Sequence, residues 1–163
     1  MGHDYLHAYW RLPYVQAPKP ERGGENPFVE LPKLGDDRKA LILWRGPHTY
    51  IVMNRFPYNV GHLMAIPFRE IPTLGELSHA ERADLMETIV KAQDILAQAL
   101  KPEGFNIGFN FGRVAGAGIP RHLHAHIVPR WSGDVNFMPV IADTKVLPVA
   151  LDSLWERLKA HAS

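Results

Sequence analysis

His122-Leu123-His124-Ala125-His126-Ile127-Val128 sets three imidazoles in strict alternation with apolar residues. Alternation is the period of an extended strand, in which neighbouring side chains take opposite faces and next-nearest ones share a face about 6–7 Å apart. A strand over residues 122–129 therefore sends three histidines to one side and Leu123, Ala125 and Ile127 to the other. The aliphatic side is expected to pack on helices and the histidine side to stay open to a ligand. Three neighbouring imidazoles carry a desolvation cost and repel one another when protonated, so the triplet argues for chemistry rather than packing. His3, His7, His48, His79 and His161 stand apart from it and read as surface residues.

Upstream, Phe105, Ile107, Phe109 and Phe111 alternate with Asn106, Gly108 and Asn110, which predicts a second strand with one apolar face. Residues 40–44, 49–54 and 62–67 are strand-like runs, the first two joined through Arg45-Gly46-Pro47-His48. Ser78-His79-Ala80-Glu81 is a capping box with Leu77 as its staple, opening a helix that runs to about Leu100 and stops at Lys101-Pro102-Glu103-Gly104. Met86, Ile89, Val90 and Ala97, with Leu85, Leu96 and Leu100 beside them, supply its apolar stripe. Residues 148–160 read as a C-terminal helix burying Leu151, Leu154, Trp155 and Leu158. The expectation is an α+β fold: an antiparallel sheet of about five strands with a long helix and a C-terminal helix on one face.

A chain of 163 residues, 46% hydrophobic and 21% charged, suits one core. Residues 27–163 are expected to form that single domain, preceded over residues 1–26 by an arm rich in aromatics (Tyr5, Tyr9, Trp10, Tyr14) and a Pro/Gly/charge-rich linker. Such an arm is expected to pack on its own domain or on a second subunit. With 18 basic and 17 acidic residues the net charge is +1, which gives no case for nucleic acid or an anionic membrane as partner. Without cysteine there is no disulfide, thiol nucleophile or thiolate metal site. The start lacks a basic and apolar leader and no apolar run reaches about 18 residues, so a cytoplasmic protein is expected.

Two uses of the triplet compete. His-x-His on a strand can converge on a transition metal. Alternatively, a neutral imidazole attacks phosphorus while its neighbours handle charge and protons. The surroundings favour phosphate. Gly112-Arg113-Val114-Ala115-Gly116-Ala117-Gly118 is a small-residue loop whose backbone N–H groups could approach an anion. Asn110 points from the same sheet toward that loop, and Asn54-Arg55-Phe56-Pro57-Tyr58-Asn59-Val60-Gly61-His62 adds an amide and an imidazole at a strand end. No carboxylate follows the triplet, where Val128-Pro129-Arg130-Trp131 stands.

The His122–Val128 stretch resembles the signature of the histidine-triad (HIT) superfamily, and the resemblance extends over residues 27–131, including Asn54 eight residues before His62. Residues 104–110, 115–119 and 129–138 look like the bacterial diadenosine-tetraphosphate phosphorylase branch, as does the arm Trp10-Arg11-Leu12-Pro13-Tyr14-Val15. The resemblance implies a homodimeric nucleotidyltransferase or hydrolase in which His124 attacks the α-phosphorus, His126 contacts the phosphate and assists the leaving group, and His122 orients the nucleophile. Asn54 would take the ribose hydroxyls, Asn110 and His62 would face the phosphate, Gly116 and Gly118 would line the phosphate loop, and Val52 and Met53 would wall the base. Diadenosine tetraphosphate is the expected substrate, with phosphate or water as acceptor and no resident cofactor, a divalent ion accompanying the nucleotide at most. A nucleoside phosphoramidate hydrolase, or a slow nucleotide-binding sensor, is the alternative. The sequence departs from the family twice. Asn26-Pro27-Phe28-Val29 stands where many relatives carry Cys-x-x-Cys, so no zinc site is expected, and Gly118-Ile119 replaces a Gln and Ser/Thr pair, leaving backbone N–H groups to meet the phosphate.

Overall fold

A computed structural model describes residues 25–134 and 150–162. The aromatic arm, residues 135–138 of the branch-like segment and the first residues of the expected C-terminal helix lie outside the described residues.

Five strands form one antiparallel sheet in the order β1-β2-β3-β5-β4. They are β1 (Ile42–Arg45), β2 (Thr49–Met53), β3 (Leu63–Pro67), β4 (Gly104–Phe109) and β5 (Ala125–Arg130). The helices are α1 (Pro27–Glu30), α2 (Asp37–Ala40), α3 (His79–Leu100) and α4 (Leu151–Lys159). This is the α+β architecture expected from the residue pattern. Among the described residues no helix is long and apolar enough to cross a membrane.

The capping box at Ser78 forms in both directions: Ser78 accepts from the Glu81 N–H, and Glu81 accepts from the Ser78 N–H. The helix ends where Lys101 turns into the left-handed region at φ 50° and Pro102 follows. Its buried stripe is Leu85, Thr88, Ile89, Ala92, Ile95, Leu96 and Ala99. Met86 and Val90 correct the sequence reading, for they are 58% and 45% exposed, and Ala97 is exposed as well. The buried set keeps the i, i+3/i+4, i+7 spacing, and Met86, Val90 and Ala97 each fall one residue, about 100°, round the helix from it.

Sheet faces follow from register. Thr49 bonds Asp84 and Thr88 of α3, so Thr49, Ile51 and Met53 face the long helix. Across the sheet Val52 pairs with Met64 and Met64 with His126, so these three share the opposite face. α4 closes the β1 edge, burying Leu154, Trp155 and Leu158, with the Trp155 indole N–H donating to the Ile42 carbonyl. Asn26, assigned above to the linker, belongs to the folded body. It caps α1, accepting from the Phe28 N–H, and Pro27 takes the first helical position, where its missing N–H is harmless.

Candidate active site

The triplet is only partly strand. β5 starts at Ala125, so His126 lies on it while His122 and His124 occupy the segment leading in. The ladder stops there because the backbone turns to other partners: the His122 N–H donates to the Ile119 carbonyl and the Leu123 N–H to Ile71. The histidine face is also not open along its length. His122, His124 and His126 are 1%, 5% and 9% exposed, because Phe28 lies edge-on to the first two and Tyr58 stands 5.4 Å from the third, centroid to centroid.

Each ring is oriented by a hydrogen bond that settles its tautomer. His122 Nε2–H donates to the Pro67 carbonyl at 2.8 Å, while its Nδ1 accepts from the Asn26 amide at 2.8 Å. His124 Nδ1–H donates to the His122 carbonyl at 2.8 Å, which leaves the Nε2 lone pair with no partner among the described residues. Burial is the largest influence on both imidazoles and holds their pKa values below the ordinary histidine value, so each is neutral at pH 7. The rings of His124 and His126 meet edge to face at 4.9 Å.

His126 is the end of a second relay. The Tyr58 N–H donates to His62 Nδ1 at 3.0 Å, which places the His62 proton on Nε2. That proton goes to His126 Nδ1 at 3.0 Å, and His126 therefore carries its own proton on Nε2, toward the reacting side. Asn110 lies 3.4 Å from this nitrogen, and with a donor there its amide oxygen is the atom that suits the contact. The loop holding Tyr58 and His62 is tied down by Asn59, whose amide donates to the Pro129 carbonyl and to Asp134. Arg130 grips Asp134 through two hydrogen bonds and holds its carboxyl at about 2, so this anchor stays charged at any ordinary pH.

The structure thus brings His122, His124, His126, His62 and Asn110 together. Asn54 reaches the same cluster at 3.4 Å from His62 Nδ1, with its oxygen committed to the Phe56 N–H. Gly116, at φ +92°, lies against Asn110: a Cβ there would stand 3.8 Å from the amide nitrogen. The loop's own turn claims two of the N–H groups expected to meet an anion, since Gly116 donates to Arg113 and Ala117 to Gly112. Gly118 follows this turn and is half-buried. Val52 shares the histidine face; Met53 takes the other face of the strand, yet it lines one small cleft with Asn54 and His62 as well as Gly61, Leu151 and Leu154. Parity separates the two, since adjacent strand residues take opposite faces.

Sequence reading missed Glu70, and it quoted Asn26, Phe28 and Tyr58 without a role in the site. Asn26 had a signal, the Asn-Pro pair that marks a helix start, but nothing local connects it to a histidine 96 positions away. A zinc ion of the kind some relatives hold does not suit these residues. Both His122 nitrogens are engaged by Asn26 and Pro67, and among the described residues no three His, Cys, Asp or Glu side chains are grouped to hold a metal.

Comparison with known proteins identifies the family and the fold. A HIT domain family profile matches residues 37–133. The AP-4-A phosphorylase of Mycobacterium tuberculosis (strain H37Rv) is 41% identical over 139 residues, covering 85% of this chain and 71% of the relative. The asymmetrical bis(5'-nucleosyl)-tetraphosphatase of Schizosaccharomyces pombe is 32% identical over 95 residues, 58% of this chain and 52% of its own. Among solved structures, a hypothetical histidine triad nucleotide-binding protein of Sulfolobus tokodaii superposes with a TM-score of 0.66 at 20% identity, covering 84% of this chain and 91% of that one.

Proposed function

This chain belongs to the HIT family, as an enzyme of its nucleotidyltransferase/hydrolase class, and from that premise we propose that it cleaves diadenosine tetraphosphate through a nucleotidyl-histidine on His124. The observation that carries the reading is the hydrogen bond from His124 Nδ1–H to the His122 carbonyl, which leaves a neutral, buried Nε2 lone pair as nucleophile.

In this reading Nε2 of His124 forms a bond to the α-phosphorus as the bond from phosphorus to the bridging oxygen breaks. The ATP leaving group takes the proton of His126 Nε2–H, which the Tyr58–His62 relay supplies on the correct nitrogen. Phosphate or water then displaces the imidazole from phosphorus, and His126 takes up the proton of the acceptor. His122 orients His124 through its carbonyl. Asn54 meets the ribose, Asn110 serves the phosphate side directly and His62 does so through His126, and Gly116 and Gly118 allow the loop to approach the chain of phosphates. Val52 belongs to the base wall. Met53, which lines a cleft with Asn54 and His62, borders it from the other face of the strand. No step needs a resident metal.

A homodimer fits the same reading. β4 is an edge strand with Ile107 43% exposed, and Met86 and Val90 leave apolar surface on α3.

The test is product analysis with diadenosine tetraphosphate, with and without inorganic phosphate. ATP plus ADP marks phosphorolysis, and ATP plus AMP marks asymmetric hydrolysis. His124→Asn is expected to keep nucleotide binding while lowering turnover at least about 10³-fold, since the covalent route is lost and the pocket remains. Retention of more than about a tenth of the rate would show that His124 is not the nucleophile.

A further inference from the structure

Asn26 is buried against the first histidine of the triplet. It is 5% exposed and uses every polar atom of its side chain. Its oxygen accepts from the Phe28 N–H, one amide hydrogen goes to Glu70 Oε2 at 2.8 Å, and the other goes to His122 Nδ1 at 2.8 Å. The turn it caps sets Phe28 against the rings of both His122 and His124.

We propose that Asn26 is a positioning residue for the transfer reaction: its amide pins His122 in the Nε2–H form and so fixes the carbonyl that aims His124. The kinetic part of this inference rests on the reading of His124 as nucleophile, while the part concerning the state of His122 does not.

The His122 ring is clamped at both ends, by Asn26 on α1 and by the Pro67 carbonyl at the end of β3. Through a ring held this way the backbone at residue 122 is held too, and that backbone carbonyl is the sole orienting partner of His124 Nδ1 among the described residues. The chemistry of an amide matters as much as its reach. Asn26 is an uncharged donor placed between an imidazole and a carboxylate. Glu70, whose other oxygen pairs with Arg121 at 3.2 Å, stops one hydrogen bond short of His122. With a carboxylate in direct contact and Nε2–H already given to Pro67, Nδ1 would take a second proton and His122 would become an imidazolium. That would put a positive charge beside a nucleophile that must stay neutral. The amide supplies orientation without charge. A cap alone needs neither donor hydrogen, for the oxygen of Asp or Ser at this position satisfies the Phe28 N–H equally well.

That difference makes the test. Asn26→Asp and Asn26→Ser both retain a capping oxygen and both lose the amide donors. The full chain with nitrogen-15 histidine is examined by long-range proton–nitrogen spectra, with His122 assigned through His122→Gln, and turnover of diadenosine tetraphosphate is followed in parallel. In the parent protein at neutral pH, His122 is expected to show an unprotonated, hydrogen-bonded Nδ1 and a protonated Nε2. In Asn26→Asp its signals move to the imidazolium pattern, and in Asn26→Ser they lose the single-tautomer pattern. In both, kcat falls about 10–100-fold while KM changes less than about twofold, the signature of a misaimed nucleophile in an intact pocket. An Nδ1-protonated His122 in the parent overturns the proposal without any variant. So do His122 signals unchanged in both variants, even if kcat falls, since the effect then comes through the cap. Unchanged kcat with altered His122 signals overturns the kinetic part. If the parent turns over no dinucleoside polyphosphate, the proposed function fails instead, and the spectra still decide the bond between Asn26 and His122.

Discussion

Gly61→Ala is expected to damage stability and catalysis together, and the size of the effect can be worked out from the backbone and its surroundings. Gly61 sits at φ +78°, immediately before His62. An L side chain in this left-handed region costs about 1–2 kcal/mol. Space is the second cost. A Cβ at Gly61 would stand 2.6 Å from Leu100 Cδ1, 3.1 Å from Leu96 Cδ2 and 3.2 Å from Pro129 Cγ. The nearest contact is the tip of the half-buried Leu100 side chain, which turns aside at small cost, whereas Leu96 is fully buried and Pro129 is fixed in β5, so against these two either the neighbours or the loop must give by a few tenths of an ångström. Overpacking of this kind costs about 1–3 kcal/mol. The sum is about 2–5 kcal/mol, or a fall in Tm of about 5–15 °C for a chain of this length. Gly35→Ala isolates the first contribution, because Gly35 has φ +67° and a Cβ added there would meet nothing within 4 Å. Urea unfolding of the two variants, compared by midpoint at constant m, separates conformation from crowding. Turnover should fall in Gly61→Ala, because the displaced loop carries the His62 that orients His126, and should be unchanged in Gly35→Ala. The reasoning fails if Gly61→Ala is not at least about 1 kcal/mol less stable than Gly35→Ala.

Two further outcomes follow from burial. Desolvation lowers the pKa of His124 in the free enzyme from 6.5, so the acid limb of kcat/KM is expected to have its half-point below pH 6.5; a half-point at or above that value would show that burial does not govern the nucleophile. The same shift bears on stability: the unfolded chain takes up protons first, so the contribution of neutral His122 and His124 is full above pH 6.5 and is lost as pH falls from there toward their lower folded values. Tyr50→Phe removes a fully buried hydroxyl that donates to the Phe28 carbonyl at 2.7 Å, and it is expected to cost about 1–3 kcal/mol by urea unfolding, since that carbonyl loses its partner; a loss under about 0.3 kcal/mol would show that the bond does not tie α1 to the sheet.

What was legible along the chain was what short-range physics dictates. The Ser78–Glu81 box and the stop after Leu100 each depend on residues within a few positions of one another, and each forms as read, whereas β4 forms as a strand that ends at Phe109, with Ile107 and Phe111 of its expected apolar face exposed. The triplet was legible as chemistry for the same reason, because His-x-His-x-His is improbable as packing. Periodicity was less able to set phase: it put Met86 and Val90 in the core, although a rotation of one residue on the helix leaves both exposed. Nor could alternation show that the strand begins at Ala125, since the ladder ends where His122 and Leu123 turn to Pro67, Ile119 and Ile71. Farthest from reach were the tautomers. They are settled by Asn26, Pro67, Tyr58 and His62, which approach the triplet from 55 to 96 positions away for Pro67 and Asn26 and 64 positions away for His62. A proton's position on an imidazole depends on which donor or acceptor stands within about 3 Å of each nitrogen, and for a buried ring that neighbour is supplied by the packing of distant segments.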